Sequence, residues 1–426
     1  NVGVQTGNFY NAKPGGGTNL ISDNTIASNR IGIWHNLAYG SAQKFVIKDN
    51  ELTSSNISTN NGIKISSIQG SVQVSVETNT IGASNEGIEV WNCPTTDSIR
   101  ISGGTITNAN TGIFVNNYEG YNSEGGNSNV IISGVAIDGD GSGSYGIRVL
   151  DSPLHSASTA QKVEIRGNTE VTGFVNGVTS EGSGADVFIH DNLSSIYENT
   201  VGILADAGHA LISNNTISDN ETGILFQNGA TGEVHHNNIT GNTTIGLSNL
   251  TANIVDATEN WWGSANGPST VGFGSGDKVS TLVTYCPWLD DVVGSGVKTY
   301  TIHNDVIAVD VSVGSSTSTL SSTGTTSLTN TICSDTDFEL ANSSNTTLGS
   351  YLKVEITDAD NLIGGSATTY VLASGYNLPS LSLVNTGTTN KTFTLVLTPY
   401  TESDGNNGLD ISDECSGTAV SISMTV

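Results

Sequence analysis

The sequence predicts an all-β protein: a right-handed parallel β-helix of about ten coils followed by a C-terminal β-sandwich. Three observations predict it. A Gly followed by an aliphatic residue recurs at Gly32, Gly62, Gly87, Gly112, Gly146, Gly177, Gly202, Gly223 and Gly246, at separations of 21 to 34 residues, and a period of that size is the mark of a solenoid. Between the glycines lie short alternating runs such as Val72-Gln73-Val74-Ser75-Val76 and Val163-Glu164-Ile165, which read as strands. No stretch of a dozen residues has helical spacing, so helical repeats are excluded, and the fixed Leu ladder of a leucine-rich repeat is missing. Each coil then supplies two or three short strands, and equivalent residues stack about 4.8 Å apart.

Asparagine supplies the corners. Asn24, Asn50, Asn79, Asn168, Asn192, Asn215, Asn237 and Asn260 are expected at one phase of the unit, with a second row at Asn29, Asn85, Asn199, Asn220 and Asn242. Asn tolerates the left-handed backbone of a corner, and stacked amides can hydrogen-bond from coil to coil.

The 426 residues carry a formal charge of −27 and only 35% hydrophobic residues. Low hydrophobicity usually signals disorder, but a thin solenoid buries one narrow apolar column and needs few large side chains. The charge repels phosphate backbones, so nucleic acid is excluded as a partner. It suits an extracellular surface, and no apolar run reaches the 18 residues of a membrane span. Asn1 reads as the start of a processed form or of an excerpt.

Along the chain, Val2–Tyr10 or something upstream is expected to cover the open edge of the first coil. Coils run from about Asn19 to Asn253. Insertions at Asn116–Ser128, with Tyr118 and Tyr121, and at Asp151–Gln161 are contact-surface candidates. The pattern changes at Asn260-Trp261-Trp262-Gly263, followed by Gly267-Pro268 and Cys286-Pro287-Trp288-Leu289. Three of the five Trp lie here, and Trp261 and Trp262 are placed to plug the apolar column. The β-helix with this cap spans 1–291. Beyond the linker at Val292–Gly296, residues 297–426 read as a sandwich of about seven strands.

The Asn-Trp-Trp-Gly, Gly-Pro and Pro-Trp-Leu series after Asn-rich coils resembles the end of pectin-lyase-like β-helix domains in large bacterial surface proteins. Thr331-Ile332-Cys333-Ser334 and Glu414-Cys415-Ser416-Gly417-Thr418 resemble the ends of a PKD-like module of Bacteroidota surface proteins. Cys333 and Cys415 lie near the two ends of one small domain. A disulfide between them is expected, worth roughly 3–5 kcal/mol, and implies an oxidising compartment. Cys93 and Cys286 are separated by about six coil steps, too far to pair unless the tail folds back, and are expected as thiols.

The resembled β-helix fold also hosts polysaccharide lyases and hydrolases. A lyase needs a basic residue over an acidic calcium site, and no basic residue is expected beside a carboxylate cluster in adjacent coils. A hydrolase needs two carboxylates about 5–9.5 Å apart. Asp138 and Asp140 are the best pair, but Asp-Gly-Asp-Gly reads as a turn. His235-His236 reads as a surface corner. The expectation is therefore no enzyme and no cofactor beyond structural calcium at Asp358, Asp360, Asp404 and Asp410. The function expected from the resemblance is a structural and adhesive segment of a cell-surface fibre, its partners neighbouring domains of a longer chain or fibre, and glycans or surfaces. The rival is a polysaccharide-binding or polysaccharide-degrading module.

Overall fold

In the computed structural model, the residues described run through 2–295 except 10–17, 28–29, 39–40, 54–59, 69, 83, 94–96, 118–128, 152–160, 168, 194–195, 271–273 and 286–287. Beyond that they comprise the strands between Lys298 and Thr425 and Asp358. No helix occurs among them.

One coil shows how the sequence makes the solenoid. His209–Ser213 is a strand, the chain turns at Asn215, and Thr216–Ser218 forms a second strand. A turn at Asn220 leads into the third, Thr222–Gln227, and Thr231–His235 begins the next coil. All three pair in parallel with their successors: Ile212 faces Val234, Ile217 faces Ile239 and Ile224 faces Leu247. Repetition yields a nineteen-stranded parallel sheet, with two strands from most coils, and an eleven-stranded sheet with one from each.

The core is a set of columns, one apolar residue per coil. The aliphatic residue after each repeated Gly builds one: Ile33, Ile63, Ile88, Ile113, Ile147, Val178, Ile203, Ile224 and Leu247 are all buried. Ile26, Leu52, Ile81, Ile106, Ile137, Val171, Ile196, Ile217 and Ile239 build another. Each such side chain contributes about 1.5–3 kcal/mol by leaving water.

The repeated Gly is a steric requirement. A Cβ on Gly62, Gly87, Gly177, Gly202 or Gly223 would lie 2.5–2.6 Å from the carbonyl oxygen of the next Gly in the stack. No side chain fits that approach, which is why the period shows in Gly.

The corners differ from the expectation in one respect. The residue with positive φ is the one before the stacked Asn: Asp23, Asp49, Thr78, Asp191, Asn214, His236 and Glu259. The Asn that follows is free to turn its amide inward. Coil strands also reach beyond the expected Asn19–Asn253. Val2–Phe9 is a coil strand paired with Ile31–Ala38, and at the other end Val255–Asp256 pairs with Val283–Thr284.

The end after the last coil is closed by aromatics. Trp262 follows Trp261, which bridges to Asn238, so its indole takes the place above Ile239. Trp262, Tyr285 and Trp288 are buried, and the Trp288 Nε1 donates to Ala265 O at 3.0 Å. Trp261 is half-buried. Trp288–Leu289 then pairs antiparallel with Lys298–Thr299. The C-terminal part contains two antiparallel sheets, four strands between Ala308 and Ser382 and five between Ser350 and Thr425.

Candidate functional site

Two ladders of amides, buried except at Asn24, run along the corners. The Asn24 backbone N–H and Nδ2 both donate to Asn50 Oδ1, at 3.1 and 2.8 Å, and Asn50 does the same to Asn79. The pattern then stops. Gly104, Val135 and Thr169 hold the register, because Thr105 N donates to Asn79 O, Ala136 N to Gly104 O and Glu170 N to Val135 O. Asn168 lies outside the described residues, and Thr169 N donates to Asn192 Oδ1 at 3.0 Å. From there Asn192, Asn215, Asn237 and Asn260 form an unbroken chain. The second row connects Asn199, Asn220 and Asn242 and ends on Asp277, whose carboxylate accepts from Gly241 N and from Asn242 N and Nδ2. Burial, and after it the Asp219 charge, pushes the Asp277 carboxyl above its usual range against the pull of those bonds. Asn85 is not on this row; the buried Asn60 and Ser84 occupy its register. Asn29 lies outside the described residues.

The other concentration of chemistry is the outer face of the strands that follow the Gly corners. The residue two after each Gly points outward, and the stack aligns Trp34, Lys64, Glu89, Phe114 and Arg148 in one row. Four steps of about 4.8 Å make this row roughly 19 Å long. A second row holds Asn36, Ser66, Trp91 and Asn116, and a third Asn61, Glu86, Thr111 and Tyr145.

These groups bind one another. Glu89, largely buried, accepts from Lys64 Nζ and from Asn61 Nδ2, both at 2.6 Å. The Lys64 amine lies 5.2 Å from the centre of the Trp91 ring. Arg148 pairs with Glu181 at 2.7 Å and lies 5.1 Å from the Phe114 ring and 4.7 Å from the Tyr145 ring. Trp34 Nε1 donates to Ser66 Oγ at 2.9 Å, which donates to Asn36 Oδ1. Burial, then the charge of Glu89, raises the Glu86 carboxyl above its ordinary range, against Lys64 and the amides of Asn85 and Asn61.

This face corrects one expectation. Lys64 does stand beside the carboxylates of Glu86 and Glu89 in the adjacent coil, an arrangement that spacings of 22 and 25 residues conceal. Counting two residues on from each Gly is the signal that finds it. The Asp138–Asp140 pair is different: both are exposed, and Asp140 accepts from Ser142 N at 2.9 Å and from its hydroxyl, an acidic turn closed on itself. Tyr118 and Tyr121 lie outside the described residues. So do Cys333, Cys286, Asp360, Asp404 and Asp410, and no side chain is described for Cys415; Asp358 follows the strand Ser350–Thr357. Cys93 is a buried thiol that burial pushes up to about 12.

Compared with known proteins, residues 115–260 match a family described as "Periplasmic copper-binding protein (NosD)", 146 of the 426 residues. No curated protein matches the chain. The family's description names a binding protein and no reaction. It also corrects the expectation of no cofactor beyond calcium, because copper is the metal of the matched family.

The described residues do not fit a copper centre. Copper favours clustered imidazole and sulfur ligands. In the matched stretch His190 contacts Glu164 and Asp191 at 2.9 and 2.8 Å, His209 contacts Asp186 at 2.9 Å, and His236 contacts Glu259 at 2.8 Å. His235 lies 3.8 Å from both Glu233 and Asp256. Each imidazole faces carboxylates, and among the described residues no three potential ligands converge. His155 lies outside the described residues. No helix among them is long and apolar enough to cross a membrane.

Proposed function

We propose that this chain is a stiff structural segment of an exported bacterial surface protein, its coils forming a rod and its C-terminal sheets a PKD-like spacer. The observation that carries the reading is the self-satisfied outer face. Lys64 and Arg148 are each held by a carboxylate and an aromatic ring, and Trp34 by a hydroxyl. Such a surface resists deformation, because among the described residues its charged side chains hold one another. Parallel ladders running the length of the solenoid add stiffness along its axis. The word periplasmic in the matched family's description supports export. The partners are neighbouring domains of a longer chain or fibre, in the manner of attachment fibres of Bacteroidota. Deleting residues 19–290 from the source cells is the test. Loss of surface fibres and of attachment is expected; normal fibres and attachment would overturn the reading.

A second reading, polysaccharide binding, is favoured by one observation: Trp34, Trp91, Phe114 and Tyr145 share one face with Glu86 and Glu89. Aromatic planes and carboxylates recognise sugar rings. Titration against a panel of soluble polysaccharides, with Trp34→Ala and Trp91→Ala as controls, decides it. Binding lost in both variants supports this reading, and no binding by the wild type removes it.

A further inference from the structure

One buried titratable group serves neither the ladders nor the outer face. His35 lies three residues after Gly32, at an inward position otherwise filled by Ile65, Val90, Val115 and Val149. It is 1% exposed. Its Nδ1 is 2.9 Å from the hydroxyl of Thr6, its ring centre is 3.9 Å from that of Phe45, and its Nε2 is buried without a hydrogen-bond partner. A buried nitrogen with no acceptor tolerates a lone pair far better than an N–H bond carrying positive charge.

Among the described residues nothing nearby compensates such a charge. The neighbouring strands Val2–Phe9 and Thr18–Ser22 contain no titratable residue. Ser41–Lys48 carries Lys44, exposed, and Lys48, paired with Asp49 outside the core. Asn61–Ile68 carries only Lys64, on the outer face, and Glu51 of Glu51–Thr53 is exposed. Among the described residues, the strand bearing Thr6 pairs with Ile31–Ala38, and the Thr6–His35 contact spans that pairing.

We propose that His35 is an acid-operated latch: its protonation releases the Val2–Phe9 strand from Ile31–Ala38 and opens the first coils while the rest of the solenoid stays closed. Burial depresses the ring from 6.5 to about 4. The fold therefore favours the neutral ring. That contribution is complete above about pH 6.5 and is lost as the pH falls toward 4. Between pH 7.5 and pH 5 the opening equilibrium of the first coils should rise roughly thirty-fold, and near pH 4 by more than a hundred-fold.

Amide hydrogen exchange on the full chain, corrected for the intrinsic pH dependence of exchange, reads this directly. Amides of 2–9 and 31–36 should lose protection about thirty-fold at pH 5, and those of 196–249 should not. His35→Phe and His35→Leu should abolish the difference. If either variant keeps the wild-type pH dependence, or protection falls equally along the whole solenoid, the latch is refuted. A titration of the His35 ring by NMR in the wild type needs no variant: a midpoint near 4 supports the proposal, and one near 6.5 overturns it.

Discussion

Replacing Asn215 by Ala should locally unfold the solenoid far more readily than replacing Asn24. The Asn215 side chain is fully buried. Its Oδ1 accepts from Asn192 N at 3.2 Å and from Asn192 Nδ2 at 3.0 Å, and its Nδ2 donates to Ile189 O at 2.8 Å and to Asn237 Oδ1 at 3.0 Å. Alanine removes all four bonds. Asn237 Oδ1 keeps the Asn215 backbone N–H at 2.9 Å. Two donors on Asn192 and the Ile189 carbonyl lose theirs, and a buried polar group left so costs about 1–3 kcal/mol. With partial relaxation the sum is about 3–5 kcal/mol. Asn24 is exposed, and among the described residues its amide donates to Ser22 O and Asn50 Oδ1, so water replaces what Asn24→Ala removes and the cost is about 1 kcal/mol or less. Because repeat arrays need not unfold in one step, the assay is residue-resolved hydrogen exchange over 185–240 beside urea unfolding. An Asn215→Ala cost no larger than that of Asn24→Ala would refute the reasoning.

Other expectations follow from the same geometry. Gly202→Ala places a Cβ 2.6 Å from Gly223 O and 2.9 Å from Asn220 Nδ2, whereas at Gly82 the nearest atom is 3.8 Å away; thermal unfolding should show a loss of about 1–3 kcal/mol for the first and little for the second. Trp262→Ala removes the plug above Ile239 and should cost about 3–5 kcal/mol, with exchange accelerating first in the coil from Asn238 to Thr284. For Lys64 and Glu89, a double-mutant cycle with Lys64→Met and Glu89→Gln should give a coupling of about 1–2 kcal/mol that survives added salt. The same cycle on the exposed Lys48–Asp49 pair should give a smaller coupling that added salt removes.

Much of the fold was legible because its causes are local. A Gly that no other residue can replace, followed by an inward aliphatic, marks each coil directly in the chain. The Asn chains are readable where coils have nearly equal length, as from Asn192 to Asn260. They are not readable between Asn79 and Asn192, where Gly104, Val135 and Thr169 hold the register and two insertions shift the phase. Nor does counting along the chain show that the left-handed corner belongs to the residue before each Asn.

By itself the sequence determined the parallel solenoid and its strands, because each depends on residue type at a repeated place. Only the tertiary structure decided which outward residues meet. Trp34, Lys64, Glu89, Phe114 and Arg148 are 25 to 34 residues apart, yet consecutive members become neighbours across one strand spacing. It likewise decided that His35 falls in an apolar column with no partner for its Nε2 among the described residues. Parallel stacking turns sequence distance into one short step, and the length of each intervening loop sets which residues that step joins.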